Sequence, residues 1–219
     1  MPGLGHDSGS SSSLRRVPKQ GRSRDRIDEI LKVSMHLIGE KGIDAVTMKE
    51  IAALSGGPIA SVYQYFPNKS AIIAMLYDRY VDQSRLIINK AIEEISTAAH
   101  ALDATDTMFD AYYQNLLHNP STQDLLNAIQ ADKTLADRDI EETRYQADNF
   151  FEATQQFIPE QLRDSYRRTL FLMFHMAAAT LRLALMVPEK EGETIVAQFK
   201  AIARAQAIYF FEGKFPSEL

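Results

Sequence analysis

From Arg24 the apolar residues Ile27, Ile30, Leu31, Leu37 and Ile38 recur at helical spacing, and Gly42 ends the run as a C-terminal cap would. Thr47 followed three residues later by Glu50 is a capping-box signature, and Ile51, Ala52 and Leu54 make the helix it opens a short one. After the Gly56-Gly57 break, Pro58 fits the first position of a third helix, where its missing N–H costs nothing. In that helix Ile59, Val62, Tyr63 and Phe66 share a core-directed face, while Ala60, Ser61 and Gln64 point outward. Phe66-Pro67 stops it. Asn68 then caps a long fourth helix running through Ile72, Ile73, Met75, Leu76, Tyr80, Leu86 and Ile87 into the mid-90s. Further helices are expected near 103–118, 121–132, 137–157, 161–187 and 192–212, punctuated by Pro120, Pro159 and the stretch 188–192. No segment reads as a strand, so the pattern predicts an all-α chain of about nine helices.

Two short helices joined by a Gly-containing turn form a helix-turn-helix, in which the second helix enters the DNA major groove and the first crosses above it. That groove is only about 12 Å wide, so a helix entering it needs small side chains at the close approach, which Gly57, Ala60 and Ser61 supply. Lys69 falls in the first turn of the fourth helix, where it opposes the helix dipole; stability does not explain it. A lysine at a helix N-terminus is a ready anion site, and Tyr63 and Tyr65 add hydroxyl donors for the same phosphate backbone. Read singly, the two tyrosines are half-buried packing residues and the lysine a solvated charge.

The segment TMKEIAALSGGPIASVYQYFPNKSAI, with ILKVSMHLIGEKGIDAVT upstream, resembles the DNA-binding domain of TetR-family transcriptional regulators over roughly residues 24 to 72. The shared features are the Gly42 stop, Thr47, Ile51-Ala52, Gly56, and the Tyr63, Tyr65, Phe66 and Lys69 signature in register. The resemblance implies an all-helical homodimer with a three-helix DNA reader and a C-terminal domain that binds a small-molecule inducer. By the same resemblance Thr47, Tyr63 and Lys69 touch phosphate, Ile59, Ala60, Ser61 and Gln64 lie on or beside the base-reading surface, and Lys49 is a possible reader from the second helix. The chain departs from the family pattern at Gly56-Gly57-Pro58-Ile59, where Gly-Val-Ser is more usual. Gly57 lacks a packing side chain and Pro58 lacks a backbone donor, which bears on the usual contact at the start of the recognition helix and not on the fold.

Composition adds a division of labour. The chain of 219 residues, 45% apolar, is long enough to bury a substantial core. It contains no cysteine, which removes disulfides, a thiolate nucleophile and Cys-based zinc sites and fits a reducing cytoplasm. The N-terminal stretch is Ser/Gly-rich and then basic, with no apolar core of signal-peptide length. Residues 1–80 carry 11 Lys+Arg against 8 Asp+Glu, whereas residues 81–219 carry 13 against 21, so a basic front half precedes an acidic rear half. Residues 1–22 read as a disordered basic tail, 23–69 as the helix-turn-helix domain and 70–219 as a helical effector-binding and dimerisation domain. Arg15, Arg16, Lys19, Arg22 and Arg24 make the tail a candidate DNA arm, the alternative being an ordinary solubilising segment.

In the rear half the last two helices carry more apolar surface than one helical layer needs. Phe171, Phe174, Ala178, Leu181, Leu185, Phe199, Ile202 and Phe210 are the expected dimer interface, closing a four-helix bundle with a second chain. An effector pocket is expected from Phe109, Tyr112, Tyr113, Phe150, Phe151, Phe157 and Phe174, with Asn115, His118 or His175 as orienting polar groups; the plainer reading of each aromatic is core. The apolar stretch 169–187 is interrupted by His175 and Arg182 and reads as a buried or interfacial helix rather than a membrane span. The five histidines lack zinc-ligand spacing and no phosphate loop or nucleophile elbow is present, so no metal, cofactor or catalysis is expected. The function expected is a cytoplasmic, ligand-responsive, sequence-specific DNA-binding regulator, a repressor released from a palindromic operator. The alternatives are a helical small-molecule-binding protein or a constitutive DNA-binding protein.

Overall fold

The computed structural model describes residues 21–214. Every regular element among the described residues is helical: α1 Gly21–Lys41, α2 Met48–Leu54, α3 Ile59–Tyr65, α4 Lys69–Glu93, α5 Ala98–His118, α6 Ser121–Ala131, α7 Lys133–Thr154, α8 Arg163–Met186 and α9 Glu189–Phe211, with two single 3-10 turns between α7 and α8. The chain divides into two compact units. One runs through Tyr80 and includes Pro120–Asp132; the other comprises Val81–Asn119 and Lys133 onward, so α4 contributes its first half to one and its second half to the other.

In the first unit α1 buries Ile27, Ile30, Leu31, Ser34, Leu37 and Ile38, the single face that its spacing dictates. Ser34 is tolerated there because its hydroxyl donates to the Ile30 carbonyl at 2.7 Å. Gly42 adopts φ +74 and ends the helix. Ile51, Ala52, Val62, Phe66, Ile72 and Ile73 complete the core beside α1. α1 starts at Gly21, so Arg22 belongs to a helix rather than to a tail ending at residue 22, and Arg24, the other candidate arm residue in reach, is helical as well. Arg15, Arg16 and Lys19 lie outside the described residues. Sequence order also assigned α6 to the effector domain, yet α6 packs on α1. Gly39 makes that approach possible, since a Cβ there would stand 2.4 Å from Ser121 Oγ.

The second unit closes around Ile88, Met108, Phe150, Phe151, Leu162, Tyr166, Leu170 and Phe210. Tyr166 is its hub, with ring centroids 5.1 Å from Phe210 and 6.1 Å from Phe151. The buried Tyr166 hydroxyl meets Thr154 Oγ1 at 3.0 Å, and desolvation pushes its pKa well above that of an ordinary tyrosine. Arg85 on α4 grips buried Glu142 on α7 in a two-pronged ion pair, with Nε 2.9 Å from Oε1. Arg85 also covers the Tyr145 ring at 4.5 Å.

Three helix starts differ from expectation, the first being that of α7, at Lys133 rather than near 137. α5 begins at Ala98 rather than near 103, because Thr97 Oγ1 accepts the His100 N–H at 3.1 Å and caps it. α9 begins at Glu189 rather than near 192. Its Gly192 is not a loop residue: a Cβ there would fall 2.3 Å from the Ala184 carbonyl oxygen, so only glycine lets the first turn of α9 lie against the end of α8.

Candidate nucleic-acid interface

The α2–turn–α3 segment is fixed locally by interactions its sequence specifies. Thr47 caps α2 reciprocally: its hydroxyl oxygen accepts from Glu50 N at 3.3 Å, and Glu50 Oε2 accepts from Thr47 N at 3.0 Å. The Lys41 ammonium on the Glu50 carboxylate, then Thr47, holds the Glu50 pKa down at about 2. Gly56 takes φ +73 directly after the C-cap Ser55, a conformation that glycine adopts without penalty. Pro58, with φ −66 and ψ 149, is the N-cap of α3 rather than its first helical residue.

α3 has seven residues and turns only Val62, with Phe66 as its C-cap, fully into the core. Ile59 and Tyr63 were expected on that buried face but are exposed, at 41% and 39%. A two-turn helix has room for one anchoring stripe, and Val62 and Phe66 at i, i+4 take it. Ala60 and Gln64 are exposed as expected, as are Lys49, Thr47 and Pro58, whereas Ser61 and Tyr65 are half-buried. The outward surface is therefore Ile59, Ala60, Tyr63 and Gln64 on α3, with Lys49 on α2.

Lys69 has a structural task that pattern reading missed. Its Nζ donates to the carbonyl oxygens of Ile43 at 2.6 Å, Val46 at 3.1 Å and Asp44 at 3.4 Å. The cation that opposes the α4 dipole thus satisfies the carbonyl-rich turn between α1 and α2, so stability does explain it. Asn68, which was expected to cap α4, accepts from Ala71 N at 2.9 Å.

The family model of bacterial regulatory proteins of the tetR family matches residues 30–76, and that of the tetracyclin repressor-like C-terminal domain matches residues 99–208. The chain belongs to the tetR family. As a tetR-family protein it is a DNA-binding transcriptional regulator with a helix-turn-helix domain followed by a helical C-terminal domain, and not an enzyme. No curated protein sequence matches it. Solved structures share the fold at low identity. The fatty acid degradation regulator FadR from Bacillus halodurans is 15% identical, with a TM-score of 0.64 over 90% of this chain and 98% of that one. A TetR-family regulator from Streptomyces coelicolor is 20% identical, with a TM-score of 0.60 over 86% and 98%. The SmeT–triclosan complex is 14% identical, with a TM-score of 0.63 over 81% and 91%.

In the C-terminal domain of this tetR-family regulator, most aromatic residues expected to line a pocket pack instead against one another. Phe150 and Phe151 are buried in the Tyr166 cluster, Phe174 lies 6.0 Å from Phe150, and Phe109 packs at a tilt against Phe199 with ring centroids 4.8 Å apart. Phe157 meets Phe211 edge-on at 6.4 Å, and Tyr112 packs against the same core. Asn115 is half-buried, His175 is exposed, and exposed His118 meets the Gln114 carbonyl through Nδ1 at 2.7 Å. Tyr113 alone of the expected set lines an open groove of about 450 Å³ between α5 and α9. Two ion pairs cross it, Lys200 with Asp110 at 2.7 Å and Arg204 with Asp106 at 3.0 Å.

The expected dimer residues also divide. Leu181, Phe199 and Phe210 are buried within the single chain, so they cannot meet a second one. Phe171, Phe174, Ala178 and Leu185 are half-buried, and Ile202 is exposed. The open apolar residues are Leu172, Met176 and Leu183 on α8 with Tyr209 on α9, none of them expected, together with Ile202, which was. The segment Glu160–Met186 is long and apolar enough to cross a membrane by composition alone, and little of it is buried inside the chain.

Proposed function

We propose that this tetR-family protein is a homodimeric cytoplasmic repressor, released from a palindromic operator by a small-molecule effector. The observation that carries the reading is the surface of α3: a short helix anchored by Val62 and Phe66 that turns Ile59, Ala60, Tyr63 and Gln64 outward together. Gln64 and the small Ala60 read base edges, Ile59 offers apolar contact to thymine methyls, and the Tyr63 hydroxyl, Thr47 and Lys49 meet the phosphate backbone. Exposed Pro58 and half-buried Tyr65 flank the contact. Two such helices spaced one turn of DNA apart, roughly 34 Å or a multiple, require a second copy.

The exposed apolar residues of α8 and α9 supply the surface for that copy, and pairing there explains why so apolar a helix is left open in one chain. The effector acts by preferring the conformation unable to bind DNA, since equal affinity for both conformations would shift nothing. SmeT in complex with triclosan is a protein of this fold holding a small organic molecule.

The test is a titration of the protein against a fluorescent duplex carrying its own upstream sequence, over a salt series, beside Tyr63→Phe. The expected result is selective binding with a steep salt slope; loss of the Tyr63 hydroxyl weakens that binding and leaves the slope unchanged, because an uncharged donor neutralises no phosphate. Affinity no greater than for random duplex, here and after selection from a random pool, would overturn the reading.

A further inference from the structure

Arg26, in the second turn of α1, extends its guanidinium into the turn between α2 and α3. Its Nε donates to Ser61 Oγ at 3.2 Å, and its Nη1 donates to the carbonyl of Ser55, the C-cap of α2. One planar group therefore bridges the end of one helix and the first turns of the next. The third nitrogen, Nη2, is buried without a protein partner beside Gly57, where a Cβ would stand 2.8 Å from it. Gly57 is not among the glycines with positive φ, so backbone conformation does not demand glycine there. What its missing side chain provides is the slot for the guanidinium.

We propose that Arg26 is a positioning residue for DNA reading, setting the angle of α3 against α2 without touching DNA itself. The proposal rests on the DNA-reading function argued above. α3 is short, and Pro58 provides no side-chain cap, so the Arg26–Ser61 bond is the polar side-chain tether at that end of the helix. The bond also draws the Ser61 oxygen inward, which makes Ser61 part of the tether and leaves base reading to its exposed neighbours. A guanidinium suits this task because its donors are fixed in one plane; an ammonium at the same place is a single point that cannot span both helices. The burial of Nη2 argues against a direct phosphate contact, because a phosphate cannot reach a covered atom.

The experiment compares Arg26→Gln, Arg26→Lys, Gly57→Ala and the double variant Arg26→Gln/Gly57→Ala with the wild type. Affinity is measured for a duplex that the wild type selects and for a random duplex, across a salt series, with thermal melting as a check on folding. Arg26→Gln is expected to lose about tenfold on the selected duplex, with affinity for the random duplex and the salt slope unchanged. Arg26→Lys fails to restore it. Gly57→Ala, which keeps the charge but closes the slot, reproduces the loss, and the double variant is no worse than either single one. Should Arg26→Gln melt below the assay temperature, Gly57→Ala carries the same test. An equal loss on both duplexes with the slope lowered by about one would make Arg26 a phosphate contact and overturn the proposal. So would an unchanged affinity for the selected duplex in Arg26→Gln and Gly57→Ala. A wild type that distinguishes no duplex overturns the DNA-reading function itself, an outcome separate from either.

Discussion

Lys69 Nζ lies 2.6 Å from the carbonyl oxygen of Ile43, the shortest of three bonds that tie the start of α4 to the turn after α1. The ammonium has three N–H donors, and the carbonyls of Ile43, Asp44 and Val46 occupy them. Its position next to a recognition helix is thus explained by anchoring α4.

Lys69→Met is therefore expected to destabilise the protein by about 1–3 kcal/mol, the cost of leaving partly buried carbonyls without a charged donor. The salt slope of DNA binding should stay as it was. Chemical denaturation and a salt titration of the same variant check both halves, and a slope reduced by about one unit would assign the ammonium to phosphate instead.

Glu50 provides a pH-dependent element in the same domain. Hydrogen bonds from Lys41 and then Thr47 hold its carboxyl at about 2, below the ordinary 4.5, so the folded state favours the ionised form. Its contribution to stability is complete above about pH 4.5 and is lost as pH falls through the window toward 2. Glu50→Gln should flatten the acid limb of a stability–pH profile between those values, with thermal melts at pH 3 and pH 6 as the measurement. A wild-type limb identical to that of the variant would remove Glu50 from the account.

These two sites show what a sequence carries and what it leaves out. The capping box of Thr47 and Glu50, the Gly42 stop and the Asn68 cap are legible because each is a contact within a few residues, encoded by residue type and spacing. The partners of Lys69 and Arg26 lie 23 to 35 residues away, where no local period points to them. The packing of α6 on α1 was hidden for the same reason, since an amphipathic helix reveals that it has a partner and not which one. Gly192 misled in the other direction. A glycine in a Pro- and Glu-rich stretch reads as a break, and only the neighbouring Ala184 carbonyl shows that the helix needs it. In α8 and α9 the abundance of apolar residues was legible, but their division between core and open face depends on helix rotation, which abundance does not fix.

That rotation yields the sharpest contrast between neighbouring residues. Leu172 and Leu183 are 53% and 52% exposed on α8, whereas Phe199 on α9 is 5% exposed and packed against Phe109. If the open face is where a second copy docks, Leu172→Glu with Leu183→Glu places four charges in a symmetric apolar contact at little cost to the isolated chain. Sedimentation should then show a monomer that remains helical and binds operator weakly, because each chain meets only one half-site. Phe199→Ala removes a ring from the interior and should lower stability by about 3–5 kcal/mol. Its effect on association should follow from unfolding and not from a lost contact. The two substitutions thus separate core from interface: a dimer that survives both glutamates would place the contact elsewhere on the surface, and Phe199→Ala that dissociated the dimer without lowering the melting temperature would put that ring at the interface after all.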